Sequence, residues 1–100
     1  MNKDAYGLFQ SADKELNEVY NQILSEYKKD EIFIENLRKA QNIWIQFRDA
    51  ELNMKFPDYP GNHYGSMHPV CRAFYLRDLT ENRTETLRAW LEIEEINNCN

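Results

Sequence analysis

With 100 residues, 42% of them hydrophobic and 13% aromatic, the chain has material for one core and not two. A chain of this size buries ~60–65% of the surface that it exposes when unfolded. Its 17 acidic and 12 basic residues leave a net charge of −5, which argues against a general nucleic-acid binder, because neutralising phosphates requires a cationic surface. Only three glycines and three prolines occur, which disfavours a many-turned β chain, and no apolar run approaches the ~18 residues that span a bilayer.

Residues 1–6 contain no apolar stretch of the signal-peptide kind, so the expectation is either a cytoplasmic protein or an exported one whose leader lies outside this sequence. Residues 13–29 carry Leu16, Val19, Tyr20, Ile23, Leu24 and Tyr27 at the spacing of an amphipathic helix. Residues 2–12 extend that pattern, with Gly7 as a weak point. Asp30 is placed to cap a second helix that reaches about Lys55, whose apolar face reads Phe33, Leu37, Ala40, Trp44 and Phe47. On this pattern Trp44 and Phe47 are expected to be largely buried. Pro57, Pro60, Gly61 and Gly65 then mark residues 56–65 as a loop.

Ser66 is suited to cap a third helix, with Pro69 in its first turn and no further proline or glycine from Val70 to about Leu91. Its stripe runs Ala73, Leu76, Thr80, Arg83, Leu87 and Leu91. Residues 92–100 form an acidic, asparagine-rich tail in which fraying is expected. The predicted fold is all-α: a small antiparallel bundle of three main helices, with an aromatic and proline-rich loop between the second and third. The whole of residues 1–100 reads as one helical domain.

Several polar residues interrupt the apolar stripes. Gln41, Trp44 and Arg48 share a face of the second helix, with Asp49 beside them, while Thr80 and Arg83 sit on the third and Asp13 and Asn17 flank Leu16 on the first. An arginine on a core-facing stripe requires acceptors, because a buried unpaired charge costs several kcal/mol. Asp13 or Asp49 is therefore expected to pair with Arg83, supported by Gln41 or Asn17. This cluster either fixes the register of the three helices or forms a binding site.

The same residues resemble a known family. Ala12, Asp13, Leu16, Asn17 and Tyr20 follow an A-D-x-x-L-N-x-x-Y pattern, and Leu37, Ala40, Gln41, Trp44, Phe47, Arg48, Asp49 and Ala50 follow L-x-x-A-Q-x-x-W-x-x-F-R-D-A. Gly65 and Ser66, then Cys71, then Leu79, Thr80 and Arg83 complete an ordered pattern covering about residues 13–87. These segments resemble the bacterial lysozyme inhibitor LprI family. The resemblance implies an α-helical, usually exported domain that binds a lysozyme-type protein. It also implies cysteines at positions where this chain has Leu52 and Asp4, so the family's usual disulfide framework is not intact here. Cys71 and Cys99 are expected as free thiols, or in an intermolecular bridge, more than as a pair.

Phe56, Asp58, Tyr59, His63 and Tyr64 place rings and a charge in the loop, the kind of surface that contacts a protein partner at low entropic cost. The acidic balance suits a basic target such as a lysozyme. His63, His68 and Cys71 are close in sequence, but no H-E-x-x-H, paired C-x-x-C or phosphate-binding loop accompanies them, so no catalytic, cofactor or metal site is expected. The alternative is a structural or oligomerising module without inhibitory activity. Ile32, Ile34, Ile43 and Ile45 lie off the main stripe of the second helix and could meet another copy.

Overall fold

The computed structural model describes residues 2–57 and 68–92, with side chains from residue 6 onward apart from that of His68. Three helices account for most of them: α1 over Asn2–Glu26, α2 over Glu31–Lys55 and α3 over His68–Arg88, the last followed by a 3-10 turn at Ala89–Leu91. Helices of 25 residues are roughly 37 Å long at 1.5 Å per residue, which accounts for the elongated 51 × 23 × 21 Å shape. No strand occurs among the described residues, in agreement with the all-α reading.

α1 packs mainly on α3. Its inner face is Ala12, Leu16, Val19 and Ile23, all buried and spaced four, three and four apart, the period of one helical stripe. The facing residues on α3 include Thr80, Thr84 and Leu87, which are equally buried. Burying two threonines would leave two hydroxyls without water, but each is satisfied within its own helix. Thr80 Oγ1 donates to the Leu76 carbonyl at 2.8 Å, and Thr84 Oγ1 donates to the Thr80 carbonyl at 3.0 Å. What these residues present to α1 is thus small and effectively apolar. Glu15 and Arg88 form an ion pair at the edge of the same interface.

α1 begins at Asn2, not near residue 13, so the extension through Gly7 is formed. Helix propagation adds a hydrogen bond per residue and tolerates one glycine, at a cost of about 1 kcal/mol relative to alanine. The chain then turns at residues 27–29, and Asp30 caps α2 as expected, its Oδ1 accepting from the Phe33 amide at 3.0 Å.

α2 departs from the predicted packing. Leu37, Gln41 and Leu52 are buried and Trp44 is half-buried, but Phe47 is 57% exposed and Ala40 is also exposed. The expectation that Trp44 and Phe47 would be largely buried is therefore corrected, fully for Phe47 and in part for Trp44. The physical reason lies in partner number. α1 and α3 satisfy most of each other's apolar surface, so α2 touches the pair along one narrow line and its second apolar stripe finds no neighbour among the described residues.

The core ranks the helices energetically. Leu16→Ala or Ile23→Ala should cost about 2–5 kcal/mol, whereas Phe47→Ala should change stability by no more than about 0.5 kcal/mol, both measured by urea unfolding. Nothing lies within 4 Å of where a side chain at Gly7 would begin, so Gly7→Ala should stabilise the protein by about 0.5–1 kcal/mol.

Candidate functional site

α2 runs antiparallel to α3, and three contacts fix the register. Glu51 meets Tyr75, Gln41 meets Arg83, and Phe33 meets Trp90. At one end, the Tyr75 hydroxyl donates to Glu51 Oε2 at 3.1 Å, Phe56 stands edge-on to Tyr75, and the Lys55 ammonium lies 5.1 Å from the Tyr75 ring centre. Desolvation first, then the hydrogen bond to Glu51 and its negative charge, raise the Tyr75 pKa above the ordinary 10.0. At the other end, Tyr27, Phe33 and Trp90 form an aromatic corner with ring centres 4.4 and 4.9 Å apart along the chain of contacts. The Tyr27 hydroxyl donates to the Trp90 carbonyl at 2.9 Å, joining the ends of α1 and α3.

Between these ends lies the polar cluster that the sequence singles out. Arg83 Nε donates to Gln41 Oε1 at 3.0 Å, and Gln41 is buried. The Arg83 guanidinium lies 5.8 Å from the Trp44 ring centre and that of Arg48 lies 5.4 Å from it, so the indole carries two cations. Arg48 pairs with its own neighbour Asp49 at 3.0 Å. Burial lowers the Arg83 pKa below the ordinary arginine value.

The expected Asp13 or Asp49 partner of Arg83 is therefore corrected to Gln41, one of the two amides expected in support. Gln41 faces Arg83 in the α2–α3 register, while Asp49 lies two turns further along α2 and is held by Arg48. Asp13 is half-buried and Asn17 exposed, and neither bonds to Arg83. Thr80 is buried against α1 and its hydroxyl turns back to its own helix, so the structure brings together Gln41, Trp44, Arg48, Asp49 and Arg83 but not Asp13, Asn17 or Thr80. Sequence reasoning missed Thr84, buried one turn beyond Thr80; the signal was its i, i+4 spacing from Thr80 and its i−3 spacing from Leu87.

Two concave surface features lie between the helices. A cleft of about 330 Å³ opens between α2 and α3 beside Arg83 and reaches the aromatic corner. A groove of about 310 Å³ between α1 and α3 is lined by Glu15, Glu81 and Glu85, whose carboxylates are already paired with Arg77 or Arg88. Of the loop candidates, Phe56 is half-buried against Tyr75, while Asp58, Tyr59, His63 and Tyr64 lie outside the described residues. Cys71 is an exposed free thiol, and Cys99 lies outside the described residues. No described helix is long and apolar enough to cross a membrane, and no group of three or more potential metal ligands converges among the described residues.

Residues 1–87 match the family described as Lysozyme inhibitor LprI. The chain belongs to that family. An uncharacterized protein of Rhizobium meliloti (strain 1021) is 30% identical over 98 residues, covering 87% of this chain and 68% of the relative. No solved structure matches the chain. In this LprI-family member, two of the five signature residues of the first segment, Ala12 and Leu16, are buried on the α1 face. Those of the second and third meet at the Gln41–Arg83 hydrogen bond. Leu52, where the family resemblance implied a cysteine, is buried.

The two ends of the α2–α3 register make separable predictions. Tyr27→Phe, which keeps the ring packing and removes the bond to the Trp90 carbonyl, should cost about 1 kcal/mol by thermal or urea unfolding. Because the folded pKa of Tyr75 is raised, the stability it contributes is fully present below the unfolded value near pH 10 and is lost as pH rises through the folded value. Melting temperatures taken from about pH 8 to 11 should therefore fall less steeply in Tyr75→Phe than in the parent chain.

Proposed function

We propose that this chain is a non-enzymatic protein-binding domain that inhibits a lysozyme-type glycosidase by occupying its cleft. The observation that carries this reading is membership of the lysozyme inhibitor LprI family across residues 1–87. The net charge of −5 supports it, since an acidic domain is steered toward a basic enzyme. Glycosidase clefts act through two carboxylates, and filling the space between them excludes substrate without any chemistry by the inhibitor. The proposed contact surface is the loop with Phe56, Asp58, Tyr59, His63 and Tyr64. It extends onto the adjoining outer stripe of α2, where Met54 is 69% exposed and Phe47 also faces out. The proposed site of action is outside the cytoplasm, where such enzymes are met.

The test is a lysis assay with the intact chain against several lysozyme classes. Saturable loss of lytic activity is expected, and Tyr59→Ala with Tyr64→Ala should weaken it while leaving the far-ultraviolet dichroism unchanged. Raising ionic strength from about 50 to 300 mM should slow association as the electrostatic component is screened. Full lysis at high micromolar protein overturns the reading. A second reading, an oligomerising helical module, is favoured by α2 itself, where Ile32, Ile43 and Ile45 are exposed together with Phe47 and Met54. Under that reading sedimentation shows a homodimer that Ile43→Glu dissociates, and lysis is unchanged.

A further inference from the structure

The α2–α3 cleft is apolar on its walls, which are formed by Phe33, Leu37, Ala40, Leu87 and Trp90, and has one charge, Arg83, at its side. We propose that this cleft binds a small carboxylate carried on an apolar body, an aryl- or alkyl-carboxylic acid, with Arg83 as the receptor for the anion. The proposal stands whether or not the chain inhibits a glycosidase.

The argument begins with the unused donors of Arg83. A guanidinium offers five N–H groups in a planar fork. The Nε group is committed to Gln41, and the guanidinium carbon lies 5.8 Å from the Trp44 ring centre. The Nη groups have no acceptor among the described residues. Arg48, Arg77 and Arg88 each have an acidic partner there, and Arg83 has none. Burial that lowers its pKa agrees with a cation poorly compensated by its surroundings. A shielded cation without a counter-ion is stabilised by an anion from outside, and the end-on fork matches a carboxylate in two-point contact.

The rest of the cleft decides what the anion must carry. Its volume of about 330 Å³ lies at the lower end of the small-molecule range, and its walls are aliphatic and aromatic, with Asn36 and Thr86 as the polar members of the lining besides Arg83. A protein of net charge −5 repels anions in general, so a simple ion gains little here. An acid with a ring or short chain gains the burial of its apolar body as well. Gln41 acts as a positioning residue, fixing the guanidinium through its Nε bond at the side of the cleft. Ala40, exposed at the rim, keeps the entrance open.

The test titrates the full chain with 3-phenylpropionate and with octanoate, read by tryptophan fluorescence, since Trp90 lines the cleft and Trp44 adjoins Arg83, and by the amide resonances of Ala40 and Leu87. Saturation with a dissociation constant of about 1 mM or below is expected, and the neutral 3-phenylpropanamide should bind at least about tenfold more weakly. Arg83→Gln should lose at least about tenfold in affinity for the acid and little for the amide. Ala40→Phe, which fills the entrance from an exposed position and leaves Arg83 in place, should abolish binding while the dichroism spectrum is retained. No saturation up to about 10 mM, equal affinity for acid and amide, or binding that survives Ala40→Phe overturns the proposal. Saturation that appears only in the Glu94→Gln, Glu95→Gln double variant also overturns it, because the chain's own carboxylates would then hold Arg83.

Discussion

Two threonines turned inward set the arrangement of the other helices. Thr80 and Thr84 are buried, and each hydroxyl is satisfied by a carbonyl one turn back in its own helix. The polar cost of burial is thus met locally, without a partner across the interface. The surface left for α1 is short and apolar, and Leu16, Val19 and Ile23 fill it. A larger residue at either threonine position would push α1 outward. A polar one without a back-bonded hydroxyl would leave a buried donor unpaired.

α2 takes what this pair leaves. It carries two neighbouring stripes. The inner one contains Leu37, Gln41, Trp44, Arg48 and Leu52, and the outer one contains Ala40, Ile43, Phe47, Ala50 and Met54. α2 meets the body at three levels: an aromatic corner through Phe33, an amide–guanidinium contact through Gln41 and a tyrosine–carboxylate contact through Glu51. The polar middle level separates two apolar ends. It also leaves the cleft open beside Arg83, because a hydrogen-bonded amide and guanidinium hold the helices in register without filling the space around them.

The family signature acquires a physical content from this arrangement. Its first segment supplies the α1 residues that bury against α3. The glutamine of the second and the arginine of the third form an interhelical hydrogen bond at the middle of the α2–α3 line, with the signature tryptophan ring 5.8 Å from that guanidinium. Those residues account for how the helices sit together. The outer face of α2, with Ile43, Phe47 and Met54, is left exposed by this arrangement.

Helix identity was legible along the chain because periodicity and capping are local. The stripe of α1, the Asp30 cap and the proline stop after α2 each depend on neighbours within a few residues. The presence of a polar cluster around Gln41, Trp44, Arg48 and Arg83 was legible for the same reason, since charges interrupting an apolar stripe are visible in sequence. Which stripe of α2 would face inward was not, because both satisfy the helical period and the choice depends on how much apolar surface α1 and α3 still expose after packing on each other. The partner of Arg83 was likewise decided by tertiary register. In sequence the carboxylates of Asp13 and Asp49 rank ahead of the Gln41 and Asn17 amides as acceptors, and only the alignment of α2 against α3 puts Gln41 at 3.0 Å from Arg83 Nε and leaves Asp49 to Arg48. The sequence by itself therefore determined three helices and the residues that had to find polar partners; the tertiary structure alone decided the pairings and the exposed face, because those follow from distances between segments that no local pattern encodes.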